Sequence, residues 1–401
     1  MDPIQVHAID DNLFLIRVND RKTRYFEGLW EIPEGVTYNA YVLKTDEGAV
    51  LFDTVKADYA EDYLQALFDL VEPKAIRHLV IHHMEPDHSG ALPALFDALP
   101  HSVEVWGHPF TKRLLDGLYG LKPNFHPVKD GTTLDVGGHR LVFYQTPWLH
   151  WPETMVTHMP ERAYLLTGDI FGGFGIPASI VDEPEVVAEM LPFARKYFAT
   201  VVGHYKEYVG KNFAKLASLD IRTIMPAHGL VWQHDPARIY NAYQNWALGV
   251  PNPKKVVVAY TSMYGYVEGA IRVAIDALKA QGMEVEVFRW VDTYHDRISD
   301  FIGTLPDAQA VVLGTATYEA DMYPLMRHLV EEMLHKVAYA KPVLVLSAHG
   351  WAGAVGRVVK QLFAESPYRL VDVIEFRGHL PAKDKEAIQE GIHRLVIWEG
   401  N

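Results

Sequence analysis

The sequence predicts a two-domain α/β and α+β protein: strands and helices in mixed order over residues 1–250, then a doubly wound parallel sheet of five strands over residues 254–401. Three observations carry this reading. Residues 1–75 are rich in strand-like runs. The segment Gly249-Val250-Pro251-Asn252-Pro253, within a linker read over 245–255, then breaks the pattern. Beyond it, β-rich runs alternate with helical ones, as in a parallel sheet with crossover helices.

In the first part, 12–18, 37–43 and 49–53 are β-branched and aromatic and read as strands, and 59–70 reads as a helix. Residues 76–81 form a buried strand, and Leu92, Leu95, Phe96 and Leu99 fall on one helical face. Further strands are expected over 140–145, 163–167 and 222–225. After the linker come strands at 255–260, 284–290, 310–313, 342–346 and 371–374. Helices intervene: Ile271, Ala274, Ile275 and Leu278 share an inner face before Gly282, and others cover 326–334, 354–363 and 383–395.

Between the strand at 76–81 and its helix lies His82-His83-Met84-Glu85-Pro86-Asp87-His88-Ser89-Gly90. His83, Glu85, Asp87 and His88 put two imidazoles and two carboxylates on one strand-to-helix loop, where a rigid scaffold aims side chains at a common point. His150, Asp169 and His228 each follow the end of a later strand, so all can converge at one sheet edge. A lone histidine there would ordinarily be a hydrogen-bonding residue; the seven together point to metal.

Composition narrows the classes. The 401 residues are 49% hydrophobic and 22% charged, as in an ordinary globular protein. A net charge of -14 argues against a nucleic-acid binder. There is no cysteine, which excludes disulfides, thiolate zinc sites, iron–sulfur clusters and a fused rubredoxin-type centre. With no secretory leader and no run of ~18 apolar residues, a cytoplasmic protein without a membrane span is expected.

The pattern His83-x-Glu85-x-Asp87-His88 resembles the metal loop of the metallo-β-lactamase superfamily, His-x-His-x-Asp-His, with Glu85 in place of the second histidine. That substitution, the phrase Glu85-Pro86-Asp87-His88-Ser89-Gly90, and Leu149-His150-Trp151-Pro152-Glu153 resemble the flavodiiron proteins, also called A-type flavoproteins. The resemblance extends over nearly the whole chain. It implies an αββα metallo-β-lactamase-like sandwich followed by a flavodoxin-like domain. It also implies one iron on His83, Glu85 and His150, a second on Asp87, His88 and His228, and Asp169 bridging them. A carboxylate replacing an imidazole adds charge and a harder donor, which favours iron and its oxidised states. His82, where family members often carry Asn, is expected to support the cluster through hydrogen bonds.

The turn Thr261-Ser262-Met263-Tyr264-Gly265 can wrap a phosphate with hydroxyls and backbone N–H groups at a helix N-terminus. It resembles the phosphate loop of flavodoxins, although Val267 stands where Ser or Thr is usual. Two further loops are expected to meet the flavin: Thr315, Ala316, Thr317 and Tyr318, then Ser347, His349, Gly350, Trp351 and Gly353, with Trp351 against the ring.

The resemblance implies FMN and two Fe ions, reduction of dioxygen to water or of nitric oxide to nitrous oxide, and an external donor, a rubredoxin-like protein or reduced carrier. It implies head-to-tail pairing as a homodimer or homotetramer. Two rivals are weighed: a dizinc hydrolase with a regulatory flavodoxin domain, which Glu85 opposes, and a redox carrier with a degenerate metal site, which seven intact ligands oppose.

Overall fold

The computed structural model describes residues 3–100 and 102–398, and the chain divides into two compact units, 1–244 and 245–401. In the first unit, one sheet holds β1 (Ile4–Ala8), β2 (Leu13–Asp20), β3 (Val36–Thr45), β4 (Gly48–Phe52), β5 (Ile76–Ile81), β6 (Glu104–Gly107) and β7 (Asn124–Pro127), in that spatial order. It is antiparallel from β1 to β4 and parallel from β4 to β7. The second sheet, β8 (Thr132–Val136), β9 (His139–Gln145), β10 (Met155–Met159), β11 (Tyr164–Gly168) and β12 (Thr223–Pro226), is antiparallel up to β11, and β12 pairs parallel to it.

Alternation sorts the side chains of β2 between faces. Leu13 and Leu15 join Tyr41, Leu43, Phe52 and Val80 in one core with Leu141, Phe143, Met155 and Leu166 of the second sheet. This is the sandwich interior. Because β10 runs against both β9 and β11, while β12 runs with β11, the ends of β9, β11 and β12 leave the second sheet at one edge. His150, Asp169 and His228 follow those ends.

The second unit holds β13 (Lys255–Ser262), β14 (Glu284–Val291), β15 (Ala310–Tyr318), β16 (Pro342–His349) and β17 (Arg369–Arg377). They pair in parallel in the order β14-β13-β15-β16-β17, with two-residue antiparallel strands added at 294–295 and 321–322. The helices Tyr266–Ala280 and Ala382–Val396 cover one face: Ile271, Ala274, Leu278, Ile388, Ile392 and Leu395 pack on Val256, Val258, Val312 and Leu344.

Two expectations need correction. Residues 245–248 are not linker: the helix Pro236–Leu248 runs through them, because Trp246 is an anchor whose carbonyl accepts the Tyr339 hydroxyl at 2.7 Å. Thr315–Tyr318, Ser347 and His349 are not loop but the last residues of β15 and β16, held in ladder pairing as far as Ala316↔Ala348 and His349↔Arg377.

Candidate metal centre

The seven polar residues arrive from four segments. β5 ends at Ile81, and the chain turns into a single helical turn, Pro86–Ser89, with Pro86 at its first position. Its backbone is fixed from both sides. Thr54 N–H and Oγ1 both donate to the His88 carbonyl, and Ser89 Oγ donates to the Met84 carbonyl.

All seven meet in two adjoining groups, His83, Glu85, His150 and Asp169, and then Asp87, His88 and His228. In the first, His150 Nε2 lies 2.8 Å from Glu85 Oε2 and 3.1 Å from Asp169 Oδ2, and His83 Nε2 lies 3.3 and 3.5 Å from the same oxygens. In the second, His88 Nε2 and His228 Nε2 are 3.0 Å apart, and each is 3.4 Å from Asp87 Oδ2. Asp169 faces both groups, with Oδ1 2.9 Å from His88 Nε2.

Electrostatics show a site short of cations. Both oxygens of Asp87 are buried without a hydrogen-bond partner, contrary to the usual satisfaction of buried polar groups. Burial, with Glu85 and Asp169 close by, pushes the Asp87 carboxyl up to about 7. Burial opposes protonation of His88 and His150. The Asp87 and Asp169 charges overcome it at His88, and hydrogen bonds to Asp169 and Glu85 do so at His150, so each is pushed up to about 9. Burial and the neighbouring His88 push His228 down to about 4. Four imidazole nitrogens and three carboxylates crowded at these separations fit a pair of cations of borderline hardness.

The imidazoles are oriented from behind, as metal-bound histidines commonly are. Glu153 Oε1 lies 3.0 Å from His83 Nδ1 and also accepts Met84 N–H. His228 Nδ1 donates to the Thr37 carbonyl at 2.7 Å. His82 is buried in a separate pairing, with Nδ1 2.7 Å from Asp53 Oδ2 and Nε2 2.8 Å from Thr157 Oγ1. Asp53, Glu153 and Thr37 carry no motif of their own. The only available signal was the Glu153 that follows His150-Trp151-Pro152.

A family profile described as "ODP family beta lactamase" matches residues 36–229. The nitric oxide reductase of Moorella thermoacetica is 31% identical over 371 residues, covering 91% of each chain. The chain belongs to the flavodiiron family. The rubredoxin-oxygen oxidoreductase of Megalodesulfovibrio gigas is also 31% identical, over 89% of each chain. A variant of a flavo di-iron protein from Thermotoga maritima superposes with a TM-score of 0.94 at 41% identity, covering 98% of each chain. Over 98% of its length this chain has the family fold, a metallo-β-lactamase-like sandwich and a flavodoxin-like sheet.

In the flavodoxin-like unit a cavity of about 670 Å³ opens at the carboxyl edge of the sheet, within the range of about 300–1,000 Å³ usual for cofactor sites. Met263, Tyr264, Ala316, Thr317, Tyr318, His349, Gly350, Trp351 and Gly353 line it. Thr261, Ser262, Gly265, Thr315 and Ser347 do not. Thr261 and Thr315 are buried beneath, their hydroxyls 3.3 Å apart, and Ser262 Oγ accepts Gly265 N–H. Val267 points into the core, 3% exposed, rather than toward a phosphate. Trp351 (87% exposed) and Tyr264 (81%) stand at the rim with broad apolar faces open, as a planar ring ligand requires. Sequence reading missed the hairpin turn Glu319-Ala320, which also lines the cavity. Both residues adopt positive φ without the glycine or asparagine that would have signalled it.

Proposed function

We propose that this flavodiiron chain reduces dioxygen to water, nitric oxide to nitrous oxide, or both, using electrons from an external donor delivered through FMN to two irons. The observation that carries the reading is Asp169, whose two oxygens face two complete groups of ligands at once. The names of the relatives, nitric oxide reductase and rubredoxin-oxygen oxidoreductase, support the two substrates. The second name supports a rubredoxin-type donor.

In this reading residues 1–250 form the diiron domain and 254–401 the FMN domain. His83, Glu85 and His150 would hold one iron, Asp87, His88 and His228 the other, and Asp169 would be available to both. The FMN site comprises the cavity-lining residues with the Thr261–Gly265 loop. When bound, FMN would supply one-electron transfer, and the irons would supply redox-active metal for a diatomic gas. The chain's own residues do the rest. Glu153 and the Thr37 carbonyl accept from Nδ1 of His83 and His228, which aims each Nε2 into the site. Phe26, Phe174 and Tyr197 pack around His228 and close that side to water. No described helix is long and apolar enough to cross a membrane. A cytoplasmic head-to-tail dimer or tetramer completes the proposal.

The dizinc-hydrolase alternative is disfavoured by Glu85, which lies 2.8 Å from His150 and supplies a carboxylate where that chemistry uses imidazole. The deciding experiment is anaerobic turnover of each gas, side by side, by iron- and FMN-loaded protein with one chemically reduced donor. Consumption of either gas is expected. Consumption of neither, with zinc-dependent ester or lactam hydrolysis instead, overturns the reading.

A further inference from the structure

Arg17 is out of place by the ordinary rules of burial. It lies on β2, two residues beyond Leu15, on the strand face that lines the sandwich interior, and is 1% exposed. Buried charges are normally paired. Among the described residues Arg17 makes no ion pair, and one of its terminal nitrogens has no hydrogen-bond partner. Burial pushes its pKa down to about 10, a sign of how poorly its charge is solvated. A buried cation of this kind contributes little to stability compared with an apolar side chain of the same size, so its use lies in what it touches.

It touches the loop that carries His228. Arg17 donates to the Gly229 carbonyl through one terminal nitrogen and to Asn39 Oδ1 through Nε at 2.9 Å. Asn39 in turn donates from Nδ2 to the Pro226 carbonyl at 2.9 Å and from its backbone N–H to the Ala227 carbonyl at 2.8 Å. The Tyr41 hydroxyl donates to the same Pro226 carbonyl at 2.8 Å. Gly229 stands at φ +74, and a Cβ there would lie 3.2 Å from the Gly173 backbone. The loop can therefore be held from the β2–β3 side but cannot be braced by a side chain of its own at Gly229. The half-site it serves needs this. Asp87 and His88 come from one short helical turn, and His228 is the only member of that group from elsewhere in the chain.

We propose that Arg17 is a positioning residue for His228, and that through the Gly229 carbonyl and Asn39 it sets the metal affinity of the Asp87–His88–His228 half-site without affecting the other. This rests on the diiron reading above.

The test is titration of metal-free, FMN-containing full-length protein with Co²⁺, followed by the visible ligand-field spectrum, with gas turnover left aside. Wild-type protein is expected to take up two equivalents. Arg17→Met, which keeps the volume, should weaken one equivalent by about ten- to a hundred-fold, the usual effect of losing a group that orients a metal-bound histidine. The spectrum of its tight site should match that of His228→Ala, which marks the half-site that does not use His228. If Arg17→Met fails to fold, Asn39→Ala removes the link to Pro226 while leaving the cation, and should give the same selective loss. Unchanged affinity at both equivalents, or equal weakening of both, overturns the inference. Fewer than two equivalents in the wild type removes the diiron reading itself, and this inference with it.

Discussion

Glu153 Oε1 lies 3.0 Å from His83 Nδ1, and the carboxylate is fully buried behind the imidazole it orients. The same oxygen accepts Met84 N–H, so one group fixes both the ring and the backbone beside it. Glu153→Gln keeps the shape and an acceptor but removes the charge that raises the basicity of His83. Iron content after dialysis against a weak chelator should fall, with affinity reduced about tenfold. Glu153→Ala should lose more, because His83 Nδ1–H would be buried with no acceptor. Equal iron retention in wild type and both variants would show that the pairing is incidental.

Asp169 is the shared member of the two ligand groups, and its replacement should act on both. Asp169→Ala is expected to lose iron and gas consumption together while the flavin absorbance of the purified protein stays as in wild type. Asp169→Asn keeps a single acceptor oxygen and should retain part of the metal. Full turnover by Asp169→Ala would rule out a bridging role.

The metal-free site should be strongly pH dependent. Against burial, which would lower them, the carboxylates around His88 and His150 push both up to about 9, from an ordinary 6.5. Metal binding needs a bare nitrogen, so uptake near neutral pH must expel these protons, and apparent affinity should rise with pH up to about 9. An indicator dye in weakly buffered solution would record the release. The sign for stability is opposite. A histidine whose folded pKa is raised stabilises the fold below its unfolded value and loses that contribution as pH climbs through the folded value. The melting temperature of metal-free protein should therefore fall between pH 6.5 and 9, and metal-loaded protein should not share that fall.

How the sequence foretold this site, and where it fell short, follows from the reach of each signal. His83, Glu85, Asp87 and His88 were legible because they are contiguous, and His150, Asp169 and His228 because each follows an apolar strand. Thr37, Arg17 and Asn39 were not. They lie inside β2 and β3, where period-two patterning marks only the apolar positions, and their partners on the His228 loop are 187–212 residues away. In the flavodoxin-like half the strands were found but cut short. Runs such as Gly314–Tyr318 lose apolar character while the backbone pairing continues, so residues read as loop are strand. The turn at Glu319-Ala320 left no trace, because its conformation is imposed by the hairpin pairing Thr317↔Met322 and Tyr318↔Asp321 rather than by its own residues.

That turn yields the last prediction. Glu319 and Ala320 adopt φ values of 48° and 62°, and a left-handed conformation costs a residue with a Cβ about 1–2 kcal/mol. Ala320→Gly removes the clash and should stabilise the folded chain, although added freedom in the unfolded chain returns part of the gain. A net rise of about 0.5–1 kcal/mol is expected by denaturant unfolding. Gly265→Val runs the other way. Gly265 stands at φ +82 where the helix Tyr266–Ala280 begins, so a β-branched residue must distort the turn. FMN affinity should drop, measured by flavin fluorescence on dilution, with iron content unchanged. Loss of iron at the same step would mean that the two sites are not independent.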